Sequence, residues 1–449
     1  MTSDTLDERI GTRNATVGVI GLGYVGLPLS VAFTEAGFDV RGFDIDEHRV
    51  SRLQQANSYV DDIDDATLQT ALDDGFEPQT DPHVVADCDV YIIAVPTGMD
   101  DDEPDMTAVR AASQTVSEQS GPRETLVVVS STVYPGATQE VVKPIVTDGR
   151  PEAHPTHLAM VPERINPGGE YELADIPLVV GANTDRARAA ASTLFGTIVA
   201  DTHPVETTDS AELTKTLENT YRMVNIALVN ELVSLAEGLE ADVWEAIDAA
   251  ATKPFGFQPF RPGPGVGGHC IPVDPQFLTW RAEDLGTGVS FIDDAHQINE
   301  RMPQLVADRF ETLLGARGVD MADASVVVLG AAYKPNVGDP RKSPALRVIN
   351  ALPNSTEITV VDPHTDPENT ARTLVDSTAQ VDLEAADAII LLVDHDAFDL
   401  DAIGAQAEFV FDTRNAMPDE TKATVVTLGS LVKTTGNKQR STRSSVSID

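Results

Sequence analysis

The residue best placed to do chemistry is Cys270, within Pro262-Gly263-Pro264-Gly265-Val266-Gly267-Gly268-His269-Cys270-Ile271-Pro272-Val273-Asp274-Pro275. The glycines would let backbone N–H groups come close to a ligand, and the prolines would hold the loop rigid. A thiol so placed could be a nucleophile, with the carboxylate of Asp274 four residues on, or a small apolar side chain plugging a turn. Three further sets of residues bear on that choice. Lys215, Asn219 and Arg222 fall at i, i+4 and i+7 of a helical pattern, so they share one face. That face either meets an anionic partner or is solvated. Glu163, in Pro162-Glu163-Arg164, follows a strand-like run and reads as a catalytic carboxylate or a salt-bridged loop acid. Lys334, Arg341 and Arg414 are cations at strand exits of a very acidic chain, which suggests a phosphate-bearing ligand.

These residues need a scaffold, and the pattern is that of an α/β protein with two Rossmann-like doubly wound domains joined by a long-helix segment. Thr16 to Ile20 reads as a buried strand, followed at once by Gly21-Leu22-Gly23-Tyr24-Val25-Gly26 and a helix that ends at Gly37. A second strand, Phe38 to Phe43, finishes at Asp44, which completes a dinucleotide-binding fingerprint. Gly21 would make the tight turn, Gly23 would admit the pyrophosphate, and Gly26 would let helix and strand pack closely. A carboxylate at Asp44 would accept the ribose hydroxyls and repel a 2′-phosphate, so NAD is expected over NADP. Thr97 and Thr132 follow two further strands at their C-terminal ends, where they either touch the nicotinamide half or cap the strands. Asp209 to Glu240 reads as one helix, with Asp209 or Ser210 as N-cap and Glu212 in the acidic first turn. Leu213, Leu217, Val224, Leu228, Leu232 and Leu235 give an apolar stripe near the helical period, and a helix this long between two domains often doubles as a dimer surface. Strands at Ala324–Leu329, Glu357–Val361, Ala388–Val393 and Glu408–Phe411 build a second sheet without a glycine fingerprint, so a second dinucleotide is not expected. The domains are read as an N-terminal extension (1–15), a NAD domain (16–206), a central helical segment with the Cys loop (207–320), a second Rossmann-like domain (321–433) and a disordered tail (434–449).

Composition sets the outer limits. At 449 residues the chain exceeds one core. Its 72 acidic and 31 basic residues give a net charge of −41, a surface that repels nucleic acid and anionic membranes. The acids run through every segment rather than forming a tail, a pattern that fits a salt-rich cytoplasm where screening relieves self-repulsion. A halophilic, cytoplasmic protein is therefore expected. Two cysteines make no disulfide framework, no Cys/His cluster has metal-site spacing, and no apolar run reaches membrane-spanning length. Cys88, beside a strand, reads as structural.

With these residues in view, the chain resembles the nucleotide-sugar 6-dehydrogenases, the UDP-glucose/GDP-mannose dehydrogenase family, from about Thr16 to about Val432. The motifs that carry the resemblance occur in order: Gly21 to Pro28, Val95-Pro96-Thr97, Ser131-Thr132-Val133-Tyr134-Pro135-Gly136, Pro162-Glu163-Arg164, Glu212 to Arg222, the Gly-Gly-His-Cys loop, and Tyr333-Lys334 followed by Asp339, Arg341 and Ser343-Pro344. The resemblance implies two successive oxidations of a sugar C6 alcohol through a thiohemiacetal and a thioester on Cys270. It implies that Lys215 and Asn219 hold the C6 oxyanion, that Lys215 or a water held with Asp274 takes the alcohol proton, and that Glu163 activates the hydrolytic water. Tyr24, Val25, Asp44, Arg49, Thr97 and Thr132 match NAD contacts, with Arg341 reaching the cofactor from the far domain. Arg164, Ile165, Lys215, Asn219, Arg222 and Gly267 match sugar-nucleotide contacts, and Tyr333, Lys334 and Arg414 match uridine diphosphate contacts. A homodimer or higher homo-oligomer is implied, with a UDP-sugar as the small-molecule partner.

Ala249 to Phe260, running into Pro-Gly-Pro-Gly, resembles the UDP-N-acetylglucosamine branch. The His-Pro-Arg segment of UDP-N-acetylmannosamine enzymes is missing, and Pro167 stands where UDP-glucose enzymes carry a second glutamate. The expected substrate is UDP-N-acetylglucosamine, with the other two sugars as alternatives. Gly98 replaces the usual proline after Pro-Thr, and Pro335 and Pro340 stiffen the Tyr-Lys loop. A hydroxyacid dehydrogenase of similar build would need no cysteine. A silent NAD- or nucleotide-sugar-binding regulator would lack Cys270 or Lys215, and neither is lost.

Overall fold

A computed structural model describes residues 5–60, 62–164, 171–366 and 370–430. Ile165, Pro167 and the tail from residue 431 lie outside the described residues. The described residues divide into two compact units, one formed by those up to 218 with 276–288, the other by 219–275 with those from 289 onward.

In the first unit, strands Glu77–Gln79, Asp39–Phe43, Thr16–Ile20, Val90–Ile93, Thr125–Val129 and Thr156–Met160 lie side by side, all parallel. Numbered along the chain this is the 3-2-1-4-5-6 order, which reverses between Thr16–Ile20 and Val90–Ile93, the place where such sheets bind ligands. Leu178–Gly181 then joins antiparallel to Thr156–Met160, and Thr202–Val205 completes eight strands. Helices on both faces explain why Val90–Ile93 and Thr125–Val129 are buried at every position. Each fully buried valine or isoleucine side chain stabilises the fold by roughly 1.5–3 kcal/mol. The N-terminal segment is more than an extension. A capping box between Thr5 and Glu8 starts a helix, Leu6–Gly11, whose Leu6 and Ile10 are buried in this unit's core.

The second unit repeats the scheme with Thr373–Val375, Glu357–Val361, Ser325–Leu329, Ala388–Leu391, Phe409–Asp412 and Thr424–Thr427, again all parallel and again 3-2-1-4-5-6. Helix Ser290–Ala316 packs its Met302, Val306, Phe310 and Leu314 into that core.

The long helix runs Thr208–Gly238, a residue earlier at its start and two shorter at its end than the sequence pattern suggests. Its Val229, Val233 and Ala236 are buried, while Leu213, Leu217, Leu228, Leu232 and Leu235 are exposed. Among the described residues no helix is long and apolar enough to cross a membrane.

Candidate active site

The cofactor end of the first unit is built by backbone constraint. Gly21 has φ of +91°, and a Cβ there would lie 2.5 Å from the Ala94 carbonyl oxygen. A Cβ on Gly26 would run into the Gly21 carbonyl. A Cβ on Gly23, by contrast, meets nothing within 4 Å, so that glycine faces open space where a phosphate can approach. Helix Gly26–Glu35 has no side-chain N-cap, and its positive N-terminal end follows the turn directly, although Leu27 N already donates to Gly23 O at 3.0 Å and Pro28 carries no N–H. Asp44 ends the second strand. Its Oδ2 accepts from Leu22 N at 2.8 Å and Arg49 Nη1 at 2.9 Å, and its Oδ1 accepts from Asp46 N at 2.9 Å. Arg49 lies 5.5 Å from the Tyr59 ring centre, and the Tyr59 hydroxyl donates to the Leu22 carbonyl. These residues fit a dinucleotide: a glycine turn, a helix N-terminus behind it and an acid for the ribose. Tyr24 is exposed and Val25 half-buried at the same turn. Thr97 Oγ1 donates to Thr132 O at 2.6 Å, and Ser131 Oγ accepts from Val95 N and donates to Val95 O. The two strand exits are thereby fastened together, so the Thr97 hydroxyl positions the loop holding Thr132.

Glu163 and Lys215 meet in this unit, with Lys215 Nζ 3.7 Å from Glu163 Oε2 and both side chains mostly buried. Burial pushes the Glu163 carboxyl above its usual range, against the opposing pull of the Lys215 ammonium. Arg164 is engaged by Glu218 through Nη2–Oε1 at 2.6 Å and Nε–Oε2 at 3.3 Å.

Sequence reasoning assigned Glu212 only to a helix's first turn. The structure buries it fully, and its two oxygens accept from Gly136 N at 2.6 Å and Thr138 N at 2.8 Å. It thus anchors the loop after Thr132. Burial lifts its carboxyl to about 7, above the ordinary 4.5. Because the folded form holds the proton more tightly, this contribution to stability is present below pH 4.5 and is lost as pH rises through 7. Glu212→Ala is expected to strand two buried N–H groups, to cost about 2–5 kcal/mol and to weaken NAD binding. Urea unfolding and NAD titration check both.

The second unit carries the nucleophile candidate. Cys270 is exposed, whereas Cys88 is buried and its thiol pushed up to about 12 by desolvation. The Cys270 carbonyl accepts from Val273 N and Asp274 N, a turn that leads into helix Asp274–Asp284. Asp274 is buried, and Asn219 Nδ2 donates to its Oδ2 at 2.5 Å. Arg222 is half-buried on the long helix. The glycine run has a different cause from the one its composition suggests. A Cβ on Gly267 would lie 2.6 Å from Pro344 and 2.7 Å from the Tyr333 Cβ, and one on Gly268 would lie 2.9 Å from the Tyr333 ring. Gly268 N donates to Arg341 O at 3.1 Å. The glycines therefore admit another stretch of the same unit, the Tyr333–Pro344 loop. Gly263 lies under Arg414, whose Nε donates to Asp394 Oδ1 at 3.1 Å. Tyr333 and Lys334 are half-buried, and burial pushes the Tyr333 hydroxyl up to about 12. The Arg341 guanidinium forks onto Asp339, with contacts of 2.6–3.0 Å. Among the described residues no group of His, Cys, Asp and Glu has metal-site geometry.

A glycine-turn dinucleotide unit, followed by a second α/β unit with an exposed cysteine and a cationic strand-exit cluster, defines an NAD-linked oxidoreductase. Three domain models of one family match in order: its NAD-binding domain over residues 15–199, its central domain over 209–301 and its UDP-binding domain over 327–419. The chain belongs to the UDP-glucose/GDP-mannose dehydrogenase family. It is 34% identical over 414 residues to a UDP-N-acetyl-D-mannosamine dehydrogenase of Pyrococcus horikoshii, covering 90% of this chain and 96% of that one. It is 32% identical over 423 residues to a UDP-N-acetyl-D-glucosamine 6-dehydrogenase of Salmonella typhi, covering 91% and 98%. Among solved structures, the UDP-D-ManNAc dehydrogenase from Pyrococcus horikoshii superposes with a TM-score of 0.83 at 32% identity, covering 92% of this chain and 99% of that one. The chain is an NAD-dependent UDP-sugar dehydrogenase, as its motifs led one to expect.

Proposed function

We propose that this enzyme oxidises C6 of UDP-N-acetylglucosamine from alcohol to carboxylate, with Cys270 as the covalent nucleophile. The observation that carries the reading is the exposed Cys270 on a loop packed against the Tyr333–Pro344 cation loop, while buried Cys88 is inert. Bound NAD supplies the hydride acceptor for each of the two oxidations. In the first, Lys215 or a water held by Asp274 takes the alcohol proton. The Cys270 sulfur then adds to the aldehyde carbon, and the carbonyl pair moves to oxygen, where the Lys215 ammonium and the Asn219 amide hold it. Loss of the second hydride from C6 leaves a thioester. Water, giving a proton to Glu163, attacks the thioester carbon, the C–S bond breaks and the thiolate leaves. Each sugar consumes two NAD+ and one water, and yields the uronate, two NADH and three protons. Tyr333, Lys334 and Arg414 take the uridine diphosphate, Arg164, Ile165, Arg222 and Gly267 position the sugar nucleotide, and Arg341 is assigned to the cofactor.

The sugar preference rests on the Ala249–Phe260 stretch. UDP-N-acetylmannosamine is the second reading, favoured by the names of relatives at comparable identity. The protein is cytoplasmic, and its spread of acids calls for assay in molar KCl. Counting NADH against acid for UDP-N-acetylglucosamine, UDP-N-acetylmannosamine and UDP-glucose tests the whole reading. A ratio near two with the first sugar preferred supports it; a ratio near one overturns the four-electron step.

A second copy of the chain covers the exposed stripe of the long helix. Leu213, Leu217, Leu228 and Leu235 are 47–57% exposed at helical spacing, a row of apolar side chains that association would bury. Leu228→Asp with Leu235→Asp is expected to convert a dimer to a monomer in sedimentation velocity. Unchanged sedimentation would move the interface elsewhere.

A further inference from the structure

In the second unit the acid that ends the second strand, Asp362, is sealed rather than offered to a ribose. It is 1% exposed, its Oδ2 accepts from Ala331 N at 2.6 Å and Ala332 N at 3.0 Å, and its Oδ1 accepts from His364 N and Thr365 N at 2.9 Å. His395 closes the arrangement. Its side chain is fully buried, with Nε2 3.1 Å from Asp362 Oδ2 and Nδ1 3.0 Å from Asn336 N. A backbone N–H can only donate, so Nδ1 accepts, and the ring proton sits on Nε2 and is given to Asp362. Phe398, edge-on at 5.3 Å, and the His364 ring at 4.9 Å hold the imidazole in place.

The residue on the far side of that ring matters. Asn336, at φ of +60°, sits two residues after Lys334, and its side chain exchanges hydrogen bonds with Asp396 at 2.8 and 2.9 Å. On the other side of His395, Asp394 binds Arg414. Three consecutive residues leaving one central strand thus hold both cationic arms: Asp394 holds Arg414, while His395 and Asp396 hold the Lys334 loop. We propose that His395 is a positioning residue for the nucleotide diphosphate, a neutral wedge that fixes the Lys334 loop by accepting the Asn336 N–H while braced on Asp362. It touches no substrate and acts through Lys334. The proposal rests on the reading that Lys334 and Arg414 take the diphosphate.

The test is UDP titration by calorimetry in molar KCl, together with steady-state kinetics. His395→Leu removes both ring nitrogens, and His395→Gln can reach Asp362 but not the Asn336 N–H; each is expected to weaken UDP binding about tenfold and to raise KM for the UDP-sugar while leaving KM for NAD unchanged. His395→Asn places an oxygen near the Nδ1 position and is expected to restore UDP affinity to within about threefold of the parent. Asn336→Gly keeps the backbone conformation, lies at the surface and loses only the Asp396 clasp, so it reports loop fixation even where a buried variant fails to fold; it is expected to weaken UDP by at least about threefold. UDP binding unchanged in His395→Leu, or equal loss in His395→Leu and His395→Asn, overturns the role, as does unchanged binding in Asn336→Gly. Failure of the parent enzyme to bind UDP is a different result, and it sinks the diphosphate reading itself.

Discussion

Cys270→Ser is expected to lower uronate formation about 10³-fold or more, a loss of roughly 4 kcal/mol of transition-state stabilisation. A serine hydroxyl keeps the shape of the loop but stays protonated near neutral pH, so it adds slowly to the aldehyde, and any ester it forms gives up a poorer leaving group than a thiolate. The first oxidation needs no nucleophile. The variant is therefore expected to make NADH and aldehyde from the UDP-sugar while acid production stalls, and trapping the aldehyde with a hydrazine would drive that first step. Its KM for NAD is expected to stay at the parent value, because the substitution changes no residue of the Gly21, Gly23 and Asp44 dinucleotide turn. Full acid production by Cys270→Ser would end the thioester mechanism while leaving the cofactor assignment standing.

The parts legible in the sequence were those whose causes are local. Gly21 and Gly26 are demanded by backbone atoms within five residues or on the adjoining strand exit, and Asp44 follows from the strand that carries it. Helix and strand periods marked the long helix to within two residues, and the same period marked its exposed leucines. What could not be read was which polar side chain would be spent on a distant stretch of backbone. Glu212 looked like one more acid in a helix's first turn, yet its partners are Gly136 and Thr138, more than seventy residues away. His395 and Asp362 are separated by 33 residues, and no spacing rule joins a histidine after one strand to an acid after another. Gly267 and Gly268 were read as places where a ligand comes close, and what the structure packs against them is Tyr333 and Pro344. Composition announces that room is needed; only the fold says what fills it. Glu163 was left between a catalytic acid and a paired loop acid, and the structure gives it features of both: a lysine partner and a carboxyl lifted by burial.

That double character leads to the second large effect. Glu163→Gln removes the base proposed for thioester hydrolysis but keeps an amide that can still accept from Lys215, so folding and both hydride transfers are expected to continue. Hydrolysis alone should slow, by about 10²–10⁴-fold for loss of a positioned general base. Mixing the variant with excess UDP-sugar and NAD should then give a burst of two NADH per active site followed by near arrest, and mass spectrometry should find the uronyl adduct on the peptide containing Cys270. The pH profile supplies an independent check. Burial raises the Glu163 carboxyl, and only the deprotonated form can take a proton from water, so the acidic limb of kcat in the parent is expected to bend above the ordinary carboxylate value of 4.5. Glutamine does not titrate, so that limb should vanish in the variant. A variant with no burst would show Glu163 acting before the thioester forms, as a partner that sets the charge and position of Lys215. A burst with no adduct would instead show an acid-forming route that bypasses Cys270, and the two outcomes separate the role of the carboxylate from that of the thiol.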